Sequence, residues 1–176
     1  MISKGFTLIE LLIVLAVVSI FAMIAVPAFQ TSIQNNRMTS QSNEFLGMLY
    51  YARSEAVKRH ESIQVCKSSN GTSCDTGLAW NDGWLMWVDV DEDAVLDVAE
   101  EIIRVGDALE AENDIYASAD VANLIGFNKR GLATDMGSWQ VCDTRGSAYA
   151  KAIVVGPSGR ARVSEILHTG GGLTCS

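Results

Sequence analysis

Three groups of side chains have types and spacings that could do chemistry. The first is acidic: the run Asp89-Val90-Asp91-Glu92-Asp93-Ala94-Val95-Leu96-Asp97-Val98-Ala99-Glu100 puts carboxylates at positions 1, 3, 5, 9 and 12, with an apolar residue at 8. This is the oxygen-donor spacing of an EF-hand loop, and it makes Asp89, Asp91, Asp93 and Glu100 candidate ligands for calcium at extracellular concentrations. Ala94 stands where the tight turn wants glycine and the flanks read as strands, so the alternative is a solvated acidic hairpin turn. The second group is basic: alternation along a strand places Arg160 and Arg162 on one face, about 6 to 7 Å apart, close to the spacing of successive phosphates on a DNA strand. The competing reading is two solvent-facing arginines paired with an acid such as Glu165. The third group is Cys66, Cys74, Cys142 and Cys175, an even count that suggests two disulfides in an oxidising compartment. Three connectivities are possible. The expected one pairs Cys66 with Cys74 and Cys142 with Cys175; a zinc site finds no CxxC pair or nearby histidine to support it.

Catalysis finds little footing. His60 and His168 are the only histidines, and no nucleophile elbow, phosphate loop or metal-ligand spacing accompanies them. His60 reads as a helix C-terminal residue favoured by the dipole. No enzymatic activity is expected, and no cofactor apart from the calcium considered above.

The elements that must position these groups begin with a polar start, residues 1–5, and then apolar sequence over 6–29 in which Glu10 is the only formal charge. About 24 apolar residues suffice to cross a bilayer. A carboxylate inside such a span costs about 2.5 to 3.5 kcal/mol even on lenient scales, so Glu10 needs a reason to be there. A secretory signal peptide or a plain anchor would share the hydropathy but would not account for that acid. Helical character continues over 30–60, where Phe45, Leu49, Ala52 and Ala56 form one apolar stripe expected to face a folded domain. The whole makes one helix of about 50 residues, near 80 Å at 1.5 Å per residue. Residues 61–176 are β-rich, with strands expected at 62–66, 84–90, 101–105, 124–128, 139–142, 150–155 and 160–167, separated by turn clusters such as Asn70-Gly71 and Pro157-Ser158-Gly159. The fold class is therefore α+β, a long N-terminal helix packed on antiparallel sheet. About 145 residues remain after the apolar segment, enough for one domain. The formal charge of −8, or −9 without Lys4, argues against general polyanion binding. With Lys4 the only charge before the span, the N-terminus is expected to stay cytoplasmic and the remainder to be translocated.

The segment Gly5-Phe6-Thr7-Leu8-Ile9-Glu10, continuing into apolar sequence, resembles the leader and first helix of type IV pilins and type II secretion pseudopilins. The resemblance implies cleavage by a prepilin peptidase between Gly5 and Phe6, methylation of the new N-terminus, and pairing of Glu10 with the freed amine of a neighbouring subunit. Pro27 matches a proline common in pilin helices, where it loosens the helix. Tyr51-Ala52-Arg53-Ser54-Glu55-Ala56, Val65-Cys66, Trp80-x-x-Gly83-Trp84 and Gly159-Arg160 are similar to the GspH/FimT (FimU-like) group of minor pilins and pseudopilins. In that group Gly159-Arg160-Ala161-Arg162 looks like a motif linked to DNA uptake; Trp80, Trp84 and Trp87 read as packing residues. The likeness to this group implies a minor subunit of an inner-membrane filament system with its domain in the periplasm. Its partners would be other minor and major pilins, the peptidase and the inner membrane. Its role would be priming or assembling a pilus, with DNA capture or a secretion pseudopilus as alternatives.

Overall fold

The computed structural model describes residues 7–109 and 113–175. It contains one long helix, α1 (Leu8–Arg59), and eight strands: β1 (Ser62–Lys67), β2 (Trp84–Asp89), β3 (Ile102–Gly106), β4 (Asp114–Ala117), β5 (Leu124–Phe127), β6 (Gly137–Cys142), β7 (Lys151–Val155) and β8 (Ala161–Ser164). The strands form two four-stranded sheets, ordered β3-β2-β1-β5 and β4-β6-β7-β8, with every pairing antiparallel. Every strand expected from the sequence is present, its ends displaced by at most three residues. β4 is an addition. Its four residues come after an acidic, strand-poor run and bury only Ile115, so no alternation signals it; it exists because β6 lies alongside, Ile115 opposite Val141.

The chain divides into two compact units, residues 1–37 and 38–176, with the division falling inside α1. In the first unit the apolar side chains of the helix are solvent-facing, Leu8 through Phe29 included. The second unit begins at Met38, and here the apolar stripe of α1 is buried: Met38, Phe45, Met48, Leu49, Ala52 and Ala56 join Ile63, Val65 and Met86 of one sheet and Trp139, Val141 and Ile153 of the other in a single core. Period 3.6 in the helix meets period 2 in the strands, and each supplies one apolar face. Trp80, Trp84 and Trp87 are all buried.

β1 and β2 are buried along their whole length. Their second face is covered too: Cys66, Leu85 and Trp87 make a small separate cluster against which Leu96 and Leu124 pack. Leu96 belongs to the acidic β2–β3 connection, which is thereby held down on the sheet. Beside it Cys66 is disulfide-bonded to Cys74, and Cys142 to Cys175, with Cα separations of 5.7 and 5.8 Å.

α1 ends at Arg59, with His60 in the left-handed region at φ 60, a conformation in which helices commonly end and that histidine tolerates better than most side chains. One turn earlier the buried Glu55 accepts hydrogen bonds from Arg59 Nε at 2.8 Å and Lys58 Nζ at 3.1 Å, and Arg59 Nη1 reaches on to Glu101 at 2.7 Å. The Arg59 and Lys58 hydrogen bonds hold the Glu55 carboxyl below its ordinary range, with burial opposing them. A carboxyl whose folded value is depressed gives up its proton more readily in the native state, so its stabilisation is complete above the ordinary carboxylate range and is lost as the pH falls through the folded value. Glu55→Gln is therefore expected to cost about 1 to 3 kcal/mol at pH 7 and progressively less at acid pH. Urea denaturation of both proteins at pH 7 and pH 3 checks this, and a gap that stays constant with pH would contradict it.

Candidate functional site

Glu10 stands in the first turn of α1. The helix opens at Thr7, whose Oγ1 accepts from the Glu10 N–H at 3.3 Å while its carbonyl accepts from Leu11 N–H at 3.2 Å; Thr7 thus caps the helix, with an acid at the third position where a capping box places one. The Glu10 side chain is exposed and its carboxylate has no partner among the described residues. Gly5 and Phe6 lie outside the described residues. An 18-residue window of α1 reaches a mean hydropathy of 2.9 with none of it buried. Pro27 sits within the helix, where it offers no N–H to the preceding turn; Thr31 Oγ1 donates to the Pro27 carbonyl at 3.1 Å.

The basic residues lie on the β7–β8 hairpin. Its turn is closed by Gly159 N–H on the Gly156 carbonyl at 2.9 Å, and strand β8 starts just after Arg160. Arg160 and Arg162 are both exposed, and neither side chain has a hydrogen-bond or ion-pair partner among the described residues. Glu165 does not pair with them. Gly159 itself is fixed by packing: it has φ +70, and a Cβ there would come within 2.0 Å of the Gly131 carbonyl oxygen. Arg53 of α1 donates to that same carbonyl at 2.9 Å, and Tyr50 donates its hydroxyl to the Ala161 carbonyl at 2.8 Å. This contact sets Gly131, the last residue of the turn that holds Lys129 and Arg130, against Gly159, a neighbour that sequence could not place. Arg145 and Lys151 do not join in. Arg145 bonds to Asp143, at 2.9 Å through Nε, and lies over the Tyr149 ring at 4.2 Å; Lys151 donates to Thr39 at 2.8 Å. Although burial works against ionisation of Asp143, the Arg145 hydrogen bonds and charge hold its carboxyl below the ordinary range. Gly159→Ala is expected to destabilise the domain by about 2 to 4 kcal/mol, because both the dihedral and the Gly131 backbone resist the added carbon. A urea midpoint within experimental error of wild type would contradict that reading.

In the acidic connection the carboxylates of Asp89, Asp91 and Asp93 converge, with one oxygen from each within 4.8 Å of the others. Asp89 is buried at the end of β2; it accepts from Gln64 Nε2 at 2.7 Å and from the N–H groups of Asp93 and Ala94 at 3.2 and 3.1 Å. Glu100 stands outside this group. Its two oxygens accept from Val90 N–H at 2.9 Å and Asp97 N–H at 3.0 Å, bracing the connection closed. The Asp91 carboxyl is pushed up, by desolvation first and then by the Asp93 charge. Lys129 faces Glu92 across 3.8 Å, both exposed.

One constellation has no counterpart in the sequence motifs. His168 Nδ1 lies 2.9 Å from Ser138 Oγ, and His168 Nε2 lies 3.7 Å from Asp120 Oδ2. A serine, a histidine and an aspartate in line have the makings of nucleophilic chemistry, but Ser138 is only 1% exposed, out of a substrate's reach. The arrangement fastens the C-terminal segment to β6 beside an open cleft of about 390 Å³ lined by Asp120, Asp135, Met136 and Pro157. Thirty residues separate Ser138 from His168, which leaves no local signal.

Two family models match: type II transport protein GspH over residues 41–159, and the prokaryotic N-terminal methylation motif over residues 1–26. Among curated relatives, fimbrial protein Q of Moraxella bovis is 39% identical over 81 residues, 46% of this chain and 51% of that protein. The type IV major alpha-pilin of the same organism is 54% identical over 42 residues, covering 24% of this chain and 26% of that protein. The match thus spans about half or less of the length of these relatives. Among solved structures, the type IV minor pilin FimU of Pseudomonas aeruginosa superposes with a TM-score of 0.58 at 20% identity, over 74% of this chain and 90% of FimU. The minor pseudopilin EpsH of the Vibrio cholerae type 2 secretion system gives 0.51 at 8% identity, over 73% of this chain and 96% of EpsH. At these identities the two structures speak to fold.

Proposed function

The chain belongs to the GspH family of type II transport proteins, and from that premise we propose that it is a minor type IV pilin, processed after Gly5, that helps prime or assemble a pilus. The observation that carries the proposal is Glu10. It is an exposed carboxylate without a partner among the described residues, on the first turn of a helix otherwise free of charge across a membrane-length span. A lone acid in hydrocarbon is costly, whereas pairing with the freed α-amino group of a neighbouring subunit offsets the cost during assembly. On this reading the apolar helix holds the subunit in the inner membrane with its folded domain in the periplasm. It then leaves the bilayer for a filament core, and the domain offers its polar edges to other minor and major pilins. The role is packing, without catalysis.

The decisive experiment joins mass spectrometry of the mature N-terminus with replacement of Glu10. Cleavage and methylation at Phe6, together with loss of filament incorporation in Glu10→Gln at unchanged domain stability, are expected. A mature protein starting elsewhere, or normal incorporation of the variant, would overturn the proposal.

A second reading, DNA capture, is favoured by the exposed Arg160 and Arg162, unpartnered among the described residues. Two to four phosphate contacts would give weak, sequence-blind and strongly salt-dependent binding. Reversing both arginine charges separates the roles: loss of DNA retention with intact piliation supports capture, and loss of filaments supports assembly. The same architecture would also serve a type II secretion pseudopilus, a reading supported by the EpsH likeness in fold.

A further inference from the structure

We propose that β3 is a docking edge, to which an extended, positively charged segment of another protein adds as a fifth strand of the first sheet. This stands on the edge alone and does not rest on the reading of Glu10.

The two sheets have four outer strands, β3, β5, β4 and β8. An outer strand presents a row of unpaired N–H and C=O groups, a template for pairing with another chain. Three of the four have these groups engaged by the fold. Along β5 the chain doubles back, with Thr134 N–H on the Gly126 carbonyl and Asn128 N–H on the Leu132 carbonyl, each at 2.9 Å. Beside β4, Asn81 Oδ1 accepts from Ile115 N–H at 3.3 Å. At β8 the Tyr50 hydroxyl takes the Ala161 carbonyl. β3 is different. Val88 N–H bonds to the Glu101 carbonyl, so alternation turns the backbone groups of Val88, Met86 and Trp84 toward β3, where Arg104 and Gly106 stand opposite the last two. The register shift between Met86 and Trp87 then leaves Ile102 and Val105 with their N–H and C=O groups pointing outward, and none of these has a partner among the described residues. The side chains are open as well, Val105 being 46% and Ile102 36% exposed. They stand opposite Leu85 and Trp87, so a strand added here would continue the apolar cluster that those two form with Cys66.

Charge selects the occupant. From Asp89 to Asp107 the chain carries eight carboxylates and one cation, Arg104, which is drawn over the Tyr51 ring at 5.1 Å. Glu101 pairs with Arg59 and Glu92 with Lys129. Asp91, Asp93, Asp97 and Asp107 remain exposed, without an ion pair among the described residues, on the chain that enters and leaves β3. A second copy pairing β3 with β3 would set these acids against their own kind, the device by which natural edges resist self-association. A segment alternating cationic with apolar residues meets the open backbone, the two exposed side chains and the acids together.

The test uses the full chain in detergent micelles and a synthetic peptide of alternating lysine and valine, about eight residues long. Residue-level amide exchange is the readout. Saturable slowing at Ile102 and Val105, by at least about tenfold and confined to the β3 segment, is expected. A peptide alternating glutamate and valine is expected to give none, and the lysine peptide is expected to lose affinity as salt rises. Val105→Pro removes one outward N–H and leaves the β2–β3 ladder intact, so it is expected to keep the wild-type circular dichroism and abolish the slowing at Ile102. Asp91→Asn with Asp93→Asn, two exposed changes, is expected to weaken the peptide at least about threefold at low salt. No slowing with the lysine peptide, equal slowing with the glutamate peptide, or slowing spread over both sheets would overturn the proposal. So would unchanged affinity in either variant, or dimerisation of the free chain that Val105→Pro abolishes, since the occupant would then be a second copy.

Discussion

Truncating Trp139 to alanine is expected to remove about 3 to 5 kcal/mol of stability, a large share of what a domain of this size has. Trp139 is fully buried on β6. Its ring lies 5.2 Å from Phe45 of α1 and 5.9 Å from Trp80, and the Phe45 and Trp80 rings meet edge to face at 5.7 Å. The three rings join the helix, the second sheet and the β1–β2 connection at one point, so the void left by the indole could not be closed by any one element moving alone. The two tryptophans differ in one respect. Trp80 Nε1 donates to the Val121 carbonyl at 3.1 Å, whereas Trp139 Nε1 is buried without a hydrogen-bond partner. Trp139→Phe keeps most of the ring packing and removes that unsatisfied donor, so it is expected to cost no more than about 1.5 kcal/mol. Urea denaturation of both variants measures the contrast. Equal losses would show that ring volume at Trp139 does not set the stability of this core.

The second large effect belongs to the Cys142–Cys175 disulfide. It closes a separation of 33 residues, against 8 for Cys66–Cys74. Loop-closure entropy assigns about 4 kcal/mol to the longer link and about 2.5 to the shorter. Replacing Cys142 and Cys175 with serine is therefore expected to cost more than replacing Cys66 and Cys74. The longer link also fastens the C-terminal segment to β6. Once it is removed, the segment is held by Gln140, whose Oε1 accepts from Thr174 N–H at 2.8 Å and Cys175 N–H at 3.4 Å, and by His168 on Ser138. Those neutral hydrogen bonds contribute about 1 kcal/mol each and exchange readily with water. Amide exchange is expected to rise over 165–175 in the serine double variant while the strands of the first sheet remain protected. Uniform loss of protection would show instead that the link supports the whole domain.

Local chemistry makes the main elements legible in the sequence. The apolar run with Glu10 needs only composition and length to be recognised. The stripe Phe45, Leu49, Ala52 and Ala56 recurs at the helical period, and those four side chains are indeed in the core. Strand positions are written in β-branched and aromatic runs between turn residues, as in β7, Lys151–Val155. β4 is not, since a four-residue strand that buries only Ile115 is too short to show an alternation of its own.

Arrangement belongs to the tertiary structure. The sheet order β3-β2-β1-β5 sets Gln64 against Asp89, 25 residues away, and gives that glutamine a meaning that its neighbours in sequence do not. Gly159 reads from sequence as part of an arginine motif; packing shows it as the point where one backbone touches another, beside Gly131 and Arg53. His168 reads from sequence as a histidine with no motif around it until Ser138 is found against it. The physical reason is common to all three. Periodicity and hydropathy act over a few residues and are written in each segment, whereas a contact across tens of residues forms only when burial of a shared core has fixed which faces meet, and that choice is made by the whole chain at once.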